Sequence, residues 1–211
     1  MTTQVSPIKA VVFDIGNVLI EWNPERYFDQ AIGPGRRREM FAAVPLHVLN
    51  DDVDRGQNFS QVWDQAAKQY PDWANEICMW RDNWIKLASP EIPHSVRLMR
   101  ALREADVAVF ALSNFGIETF EVAKTYYDFL TEFDQAYISG YLKMIKPDPD
   151  IYQVLETVSG LAPSCLLFAD DRVDNIAAAQ ARGWHTHLFT EPQAWADTLV
   201  GHGLLSVDAA K

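Results

Sequence analysis

Three apolar runs of the sequence each end on polar side chains that can do chemistry. These side chains are Asp14 after residues 10–13, Ser113 and Asn114 after residues 107–112, and Asp170 and Asp171 after residues 165–168. Continuous apolar runs are typical of strands buried on both faces, as in parallel sheets. The carboxyl ends of parallel strands meet at one edge of the sheet, where open α/β sheets bind their ligands. We therefore expect these polar residues to gather at one site.

The residue types at these strand ends indicate a site for a phosphoryl group. Two carboxylates about 4 Å apart repel each other by roughly 4 kcal/mol at a surface-like dielectric, and a divalent cation that prefers oxygen ligands, such as Mg²⁺, relieves that repulsion. Lys146 lies in a loop before a predicted helix and could offset phosphoryl charge, while Asp14 could attack phosphorus. Taken singly, Ser113 suits a turn, Lys146 a solvated loop, and Asp170-Asp171 a helix cap. Their shared position at strand ends favours the site.

The elements that must position these residues alternate along the C-terminal part of the chain. Amphipathic or alanine-rich stretches predict helices near 94–102, 117–130, 150–158, 175–182 and 192–199, and short apolar runs predict strands at 136–138 and 185–189. Strands that alternate with helices predict a parallel sheet with right-handed crossovers. We therefore expect an α/β fold with a Rossmann-like, three-layer core.

Residues 21–92 interrupt this alternation with helical patterns alone. Ser60 is the expected N-cap of a helix that ends near residue 70, and the apolar residues from Trp73 to Leu87 have the spacing of one helix face. We expect a core made of residues 1–20 and 93–211, with an all-helical domain inserted after the first strand.

Composition limits the partners of the protein. The 211 residues are 48% hydrophobic, and 18 basic against 29 acidic residues give a net charge of −11. This charge argues against nucleic acid or an anionic membrane as a partner and leaves a small phosphorylated molecule as the expected one. No apolar run has membrane-spanning length, Met1–Lys9 has no signal-peptide pattern, and Cys78 and Cys165 have no metal-site spacing, so we expect a cytoplasmic protein. Nothing in the sequence indicates its oligomeric state.

The four polar segments resemble the four motifs of the haloacid dehalogenase-like hydrolase superfamily, most of whose members are phosphatases. The matching segments are Phe13-Asp14-Ile15-Gly16-Asn17-Val18-Leu19, Leu112-Ser113-Asn114, Lys146-Pro147-Asp148, and Phe168-Ala169-Asp170-Asp171 with Asn175. This superfamily places a helical cap where residues 21–92 lie. Within them, Asp54-Arg55-Gly56 followed by Ser60 is similar to a cap segment of the branch that includes sugar-phosphate phosphatases.

The resemblance implies a role for each matched residue. Asp14 would be the nucleophile that forms an aspartyl-phosphate, and Lys146 would pair with Asp14 and with phosphate. Ser113 and the backbone at Asn114 would bind phosphate oxygens. The implied Mg²⁺ ligands and their supports are Asp14, the backbone carbonyl of Gly16 and Asp171, with Asp170 and Asn175 behind them. The candidate cap residues over the leaving group are Trp22, Arg26 and Arg55.

Gly16 departs from the phosphatase pattern of the superfamily. Most of these phosphatases carry an Asp two residues after the nucleophile, which protonates the leaving group and then activates water. A general acid contributes about 10²–10⁴ in rate. We therefore expect a Mg²⁺-dependent phosphomonoester hydrolase whose leaving group is relatively acidic, as in an anomeric sugar phosphate, or whose proton comes from a cap residue or water.

Two other functions stay open at this point. The dehalogenases of the superfamily use the same Asp nucleophile without a metal and also lack the second Asp, but they usually lack the paired acids found here at Asp170-Asp171. The other alternative is a scaffold that binds a phosphorylated ligand without turnover. The presence of Asp14, Lys146 and both acids argues against such a scaffold.

Overall fold

A five-stranded parallel sheet lies at the centre of the structure, a computed structural model that describes residues 8–211. Its strands, in spatial order, are β5 (Gln135–Ile138), β4 (Ala108–Ser113), β1 (Ala10–Phe13), β6 (Leu166–Asp170) and β7 (His185–Leu188). All four neighbouring pairs are parallel, which confirms the predicted α/β class. Residues 1–7, on which most of the signal-peptide prediction rests, lie outside the described residues.

The register of the three central strands brings their polar ends level. Phe13 of β1 lies opposite Ala111 of β4 and Ala169 of β6. The next residue of β1 is Asp14, whose backbone N–H donates to the Ala169 carbonyl at 2.9 Å. Asp14 and the acids at the end of β6 therefore meet at the carboxyl edge of the sheet. The apolar runs predicted this arrangement.

Apolar side chains fill both faces of the sheet. In β1, Val11 and Phe13 belong to one hydrophobic cluster, and Ala10 and Val12 belong to a second. Alternate residues of a strand point to opposite faces, so each cluster lies between the sheet and one layer of helices. The core helices are α7 (Pro93–Glu104), α8 (Ile117–Tyr126), α9 (Ser139–Leu142), α10 (Pro149–Ser159), α11 (Val173–Ala181) and α12 (Pro192–Gly201). The predicted three-layer core is confirmed.

Six further helices lie between β1 and α7. They are α1 (Pro24–Ile32), α2 (Pro34–Ala43), α3 (Leu46–Asp54), α4 (Phe59–Gln69), α5 (Ala74–Asp82) and α6 (Trp84–Leu87). Their interior is aromatic, because the Trp80 ring stacks on Trp63 at 5.1 Å and on Phe28 at 5.8 Å. These helices belong to the same hydrophobic cluster as one face of the sheet, so they are packed onto the core.

A two-stranded antiparallel ribbon joins the six helices to the core. It pairs β2 (Ile20–Trp22) with β3 (Ala88–Glu91), which sequence patterns did not predict because both strands are short and only partly apolar. The apolar residues from Trp73 to Leu87 form three helical pieces rather than one helix, since a 3₁₀ turn at Pro71–Trp73 precedes α5 and Asn83 separates α5 from α6.

The N-cap of α4 also differs from the prediction. Asn58, and not Ser60, precedes the helix, and its side chain accepts a hydrogen bond from the Gln61 backbone at 2.9 Å. Asn and Ser are comparably good N-caps, so the sequence alone did not separate them. None of the helices within residues 8–211 has the length and apolar character needed to cross a membrane.

Candidate active site

One cavity of about 350 Å³ lies between the carboxyl edge of the sheet and the six inserted helices. Residues predicted from sequence line its floor, namely Asp14, Gly16, Ser113, Asn114, Lys146, Asp171 and Asn175. Asp170, the remaining predicted residue, is fully buried directly behind this floor. The sheet therefore brings all of the predicted site residues together.

The Asp14 carboxylate is held at one oxygen by three donors. Its Oδ1 accepts hydrogen bonds from the Ile15 backbone at 2.7 Å and from the Ser113 hydroxyl at 2.7 Å. The Lys146 ammonium lies 2.9 Å from the same atom. No described residue donates to Oδ2, so the carboxylate is oriented through one oxygen and keeps the other for chemistry.

Lys146 is a buried cation between two carboxylates. Its Nζ lies 2.6 Å from Asp170 Oδ2 as well as 2.9 Å from Asp14 Oδ1. Burial alone would lower the pKa of Lys146, but the two carboxylates outweigh it and raise the pKa. The lysine is therefore charged at neutral pH, and its ion pairs with the two carboxylates hold it in place.

Asp170 is fully hydrogen-bonded. Its oxygens also accept from the Asn175 amide at 3.0 Å and from the Arg172 backbone at 2.8 Å. The Asn175 Oδ1 is buried and has no hydrogen-bond partner among the described residues. Asp170 thus supports Lys146, while Asn175 leaves a carbonyl oxygen available beside the cavity.

Asp171 and Asn17 form a second hydrogen-bonded pair at the cavity floor. The Asn17 amide donates to Asp171 Oδ2 at 3.0 Å, and its carbonyl accepts from the Trp22 backbone at 2.9 Å. Asn17 has a positive φ of 55°, which asparagine tolerates better than most residues. Asn17 lies within the first motif, and its position directly after Gly16 was the signal in the sequence that could have assigned it to the site.

Three carboxylates meet closely enough to share a cation. Oxygens of Asp14, Asp170 and Asp171 all lie within 4.8 Å of one another. Burial raises the pKa of Asp14 to about 7, against the lowering effect of Lys146. Burial also raises the pKa of Asp171. Burial disfavours the charged form of these carboxyl groups, and a cation bound between them would favour it.

Asn114 positions the loop that carries Lys146. Its amide donates to the Lys146 carbonyl at 3.0 Å, and its carbonyl accepts from the Lys146 backbone N–H at 2.7 Å. The side chain is therefore committed to the loop, and contact of the Asn114 backbone with a ligand stays a prediction.

The inserted segment, together with Phe115 of the core, contributes a mixed wall to the cavity. Its apolar part includes Trp22, Trp84 and Phe115, and the Trp84 ring lies 5.3 Å from the Phe115 ring. Its polar part comes from α3 and comprises His47, Asn50, Asp51 and Asp54. Sequence analysis did not single out these polar residues as site residues, because helical periodicity does not say which structure a polar face opposes.

Two of the three suggested cap residues lie elsewhere. Arg55 forms an ion pair with Asp148 at 3.1 Å and is not among the residues that line the cavity. Arg26 pairs with Glu21 and the Ser89 carbonyl and lines a different surface pocket. Only Trp22 of the three lines the cavity, so the guesses for Arg26 and Arg55 were wrong.

The parallel sheet, with a carboxylate and a buried lysine at its strand ends, defines an α/β enzyme. A family model described as a haloacid dehalogenase-like hydrolase matches residues 8–183. Because this match spans most of the chain, the chain belongs to the haloacid dehalogenase-like hydrolase family. The family resemblance read from the four motifs is confirmed.

Two curated proteins of known name are similar in sequence. A sesquiterpene phosphatase of Aspergillus oryzae is 28% identical over 192 residues, covering 83% of this chain and 86% of that protein. A drimenol cyclase of Aspergillus calidoustus is 24% identical over 188 residues, covering 86% of this chain. The chain spans only 34% of the length of the cyclase.

Solved structures share the fold at low sequence identity. A haloacid dehalogenase family enzyme of Bacteroides thetaiotaomicron superposes with a TM-score of 0.75 at 23% identity, covering 92% of this chain and 99% of that one. The same enzyme has been solved with magnesium and inorganic phosphate, at a TM-score of 0.68. The L-2-haloacid dehalogenase of Xanthobacter autotrophicus matches at 0.58 and 18% identity, covering 97% and 87%. The fold is therefore common to phosphate-binding and dehalogenating relatives.

Proposed function

We propose that the protein is a Mg²⁺-dependent phosphomonoester hydrolase that acts on a small phosphorylated molecule through an aspartyl-phosphate at Asp14. One observation carries the proposal, namely that Asp14 lies within 4.8 Å of two further carboxylates and 2.9 Å from a buried lysine. A metal-free dehalogenase has no use for three converging carboxylates, whereas a phosphatase needs the cation that they would hold. The named sesquiterpene phosphatase and the magnesium-phosphate complex of a structural neighbour support this choice.

The donor set fits Mg²⁺. All of the ligand atoms on offer are oxygens, and the neighbouring Asn175 carbonyl oxygen is buried without a partner. In our proposal Asp14, Asp171 and the Gly16 carbonyl hold the ion, while Asp170 and Asn175 orient the residues around it. When bound, Mg²⁺ would offset the charge of the phosphoryl oxygens.

The remaining steps follow from the chain's own side chains. Asp14 Oδ2 attacks phosphorus and the leaving oxygen departs, which transfers the phosphoryl group to the carboxylate. The Lys146 ammonium and the Ser113 hydroxyl both contact Asp14 Oδ1. From this position they can bind phosphate oxygens as negative charge develops on those oxygens. Water then attacks the aspartyl-phosphate and regenerates Asp14.

We further propose that residues 21–92 act as a cap that selects the leaving group. The wall formed by Trp22, Trp84 and Phe115 suits an apolar group, in keeping with the name of the sesquiterpene phosphatase relative. The sequence analysis suggested a sugar phosphate instead. A prenyl monophosphate and an anomeric sugar phosphate, compared by kcat/KM, distinguish the two. The cytoplasmic location stays a prediction.

Hydrolysis of an aryl phosphate tests the reaction itself. We expect turnover with Mg²⁺, loss of turnover with a chelator, and loss of at least about 10³-fold in the Asp14→Asn variant, since no nucleophile remains. Asp174→Asn is the matched control, because Asp174 pairs with Arg172 on the surface. Absence of turnover under both conditions, followed by halide release from a short-chain 2-haloacid, would identify a dehalogenase. Inactivity in both assays would favour the phospho-ligand scaffold.

A further inference from the structure

The cavity contains one acid whose position has no role in the proposed reaction so far. Gly16 leaves the departing oxygen without the usual proton donor. The carboxyl groups lining the cavity are Asp14, Asp51, Asp54 and Asp171. Asp14 and Asp171 are proposed to hold the metal, and Asp51 is exposed, so Asp54 is the remaining buried acid that faces the substrate space.

Asp54 is the last residue of α3 and lines the same cavity as Asp14. Its side chain is only 8% exposed, and the Asn50 amide one turn earlier donates to its Oδ2 at 2.9 Å. An amide that donates to one oxygen fixes the orientation of the carboxyl group without giving it a compensating charge. The acid is therefore held still and is not part of any ion pair among the described residues.

Close contacts fasten this end of α3 to the core. A Cβ atom on Gly116 would lie 2.4 Å from Val53 Cγ1, and one on Gly56 would lie 2.6 Å from the Gly140 carbonyl oxygen. Arg55 adds the ion pair to Asp148 at 3.1 Å. Two glycines thus let the backbones approach directly on either side of Asp54. Its position relative to Asp14 is set by packing rather than by a mobile loop.

The charge environment keeps Asp54 protonated at neutral pH. Burial raises its pKa to about 8, Asp51 on the same helix and Asp14 on the core add to the rise, and the Gly116 backbone and Lys146 oppose it. His47, Asp171 and Arg172 line the same cavity. A carboxylic acid that is neutral at pH 7 can donate a proton, as an ordinary exposed Asp cannot.

We propose that Asp54 is the general acid that replaces the missing Asp at position 16, and the general base of the second step. The proposal rests on the proposed phosphatase function. As the ester P–O bond breaks, its electron pair goes to the leaving oxygen, which takes the proton of Asp54, while Asp14 forms the new P–O bond. Asp54, now a carboxylate, removes a proton from the attacking water as Asp14 is released. The cycle consumes one water and returns both residues to their starting state.

Dependence on the leaving group tests this role. In Asp54→Asn we expect kcat/KM for a simple alkyl phosphate to fall by about 10²-fold or more, because an alkoxide needs protonation. The kcat/KM for an aryl phosphate should change little, since it reports only formation of the aspartyl-phosphate. Hydrolysis of the aspartyl-phosphate should then be slow. It should appear as an initial burst of phenol whose amplitude equals the enzyme concentration.

Two variants provide controls. Asp51→Asn, on the same helix and cavity wall, should move the alkaline loss of alkyl-phosphate activity to lower pH, because the charge of Asp51 raises the pKa of Asp54. Gly16→Asp restores an acid at the usual position, and a Cβ there would have no heavy atom within 4 Å. Combined with Asp54→Asn, it should recover most of the lost alkyl-phosphate activity.

Several outcomes would overturn the role of Asp54 and leave the phosphatase proposal standing. Equal losses for alkyl and aryl esters would show a structural role, and no loss for either would show no role. If Asp54→Asn does not fold, the native enzyme decides: its alkyl kcat/KM should fall above about pH 8 while the aryl value does not, and parallel profiles contradict the proposal. Absence of aryl-phosphate turnover by the native enzyme would instead refute the proposed function itself.

Discussion

At the scale of single residues, the site is a buried arrangement of charges that compensate each other only in part. Lys146 is 3% exposed, and its single positive charge is shared between the Asp14 and Asp170 carboxylates. Removing one member of such a buried group typically costs about 3–5 kcal/mol, since the others remain buried without a partner. The arrangement is therefore better explained by chemistry than by stability.

Asp54 should make stability fall as pH rises. Its pKa is about 8 in the folded protein and about 3.9 in an unfolded chain, so the folded state holds the proton more tightly. Asp54 makes its full contribution to the free energy of unfolding below about pH 4, and that contribution is lost as pH rises through about 8. Asp54→Asn, which cannot titrate, should gain stability over the native protein across this range, by on the order of 5–6 kcal/mol at most at 1.36 kcal/mol per pKa unit.

Chemical denaturation at a series of pH values, with a chelator present, measures this difference. Asp52→Asn is the control, because Asp52 lies on the same helix outside the cavity. If the free energies of unfolding of native protein and Asp54→Asn run parallel between pH 5 and pH 8, the carboxyl is not held protonated, and its proposed role as an acid loses its electrostatic support.

At the scale of elements, the contact between α3 and the loop after β4 sets the distance across the cavity. Val53 approaches Gly116 so closely that the glycine has no room for a side chain. The same contact lies one residue from Asp54. Packing at this point should therefore affect catalysis as well as stability.

Gly116→Ala tests the contact. The new methyl group would overlap Val53, and overpacking of this kind costs typically about 1–3 kcal/mol. We expect the melting temperature to fall by several degrees, with a larger loss of alkyl-phosphate than of aryl-phosphate activity. Gly35→Ala is the matched control, because a Cβ there meets nothing within 4 Å, and Ala in place of a helical Gly should be neutral or stabilising. Equal behaviour of the two variants would show that α3 is not fastened at Gly116.

At the scale of the whole molecule, the cavity lies between two bodies that share one hydrophobic cluster. The carboxyl edge of the sheet supplies the carboxylates, the loop before α10 supplies the lysine, and the inserted segment supplies most of the remaining wall. Mg²⁺ bound to the sheet edge would relieve repulsion that the folded chain otherwise bears. Binding of the ion should therefore be visible as stability of the whole protein.

Thermal unfolding with and without Mg²⁺ measures this coupling. A ligand present at 100 times its Kd stabilises by about 2.7 kcal/mol, which corresponds to a rise of roughly 5–10 °C for a chain of this size. We expect that rise for the native protein and for Asp174→Asn, and little of it for Asp171→Asn. A rise of the same size in Asp171→Asn would place the ion elsewhere.

The α/β class and the residues of the cavity floor could be predicted from local sequence patterns. Buried parallel strands must be apolar on both faces, and their carboxyl ends must meet, so an apolar run followed by a polar residue locates both the strand and the site. Asp14, Ser113 and Asp171 could be predicted for this reason, and Lys146 from the resemblance of its loop to the third motif of the family. The hydrogen bonds of the Asn114 side chain to the Lys146 backbone could not be predicted, because they depend on where the Lys146 loop lies.

Which residues form the other wall of the cavity depends on packing between elements that are distant in sequence. The helical spacing in residues 46–54 shows which side chains share a face, but not which surface that face meets. The sequence therefore offered Arg55 as a candidate, whereas in the fold Arg55 pairs with Asp148, and Asp54 is buried in the wall of the cavity that Asp14 also lines. Contacts between elements distant in sequence, such as Val53 with Gly116, make that choice, and no local pattern encodes them.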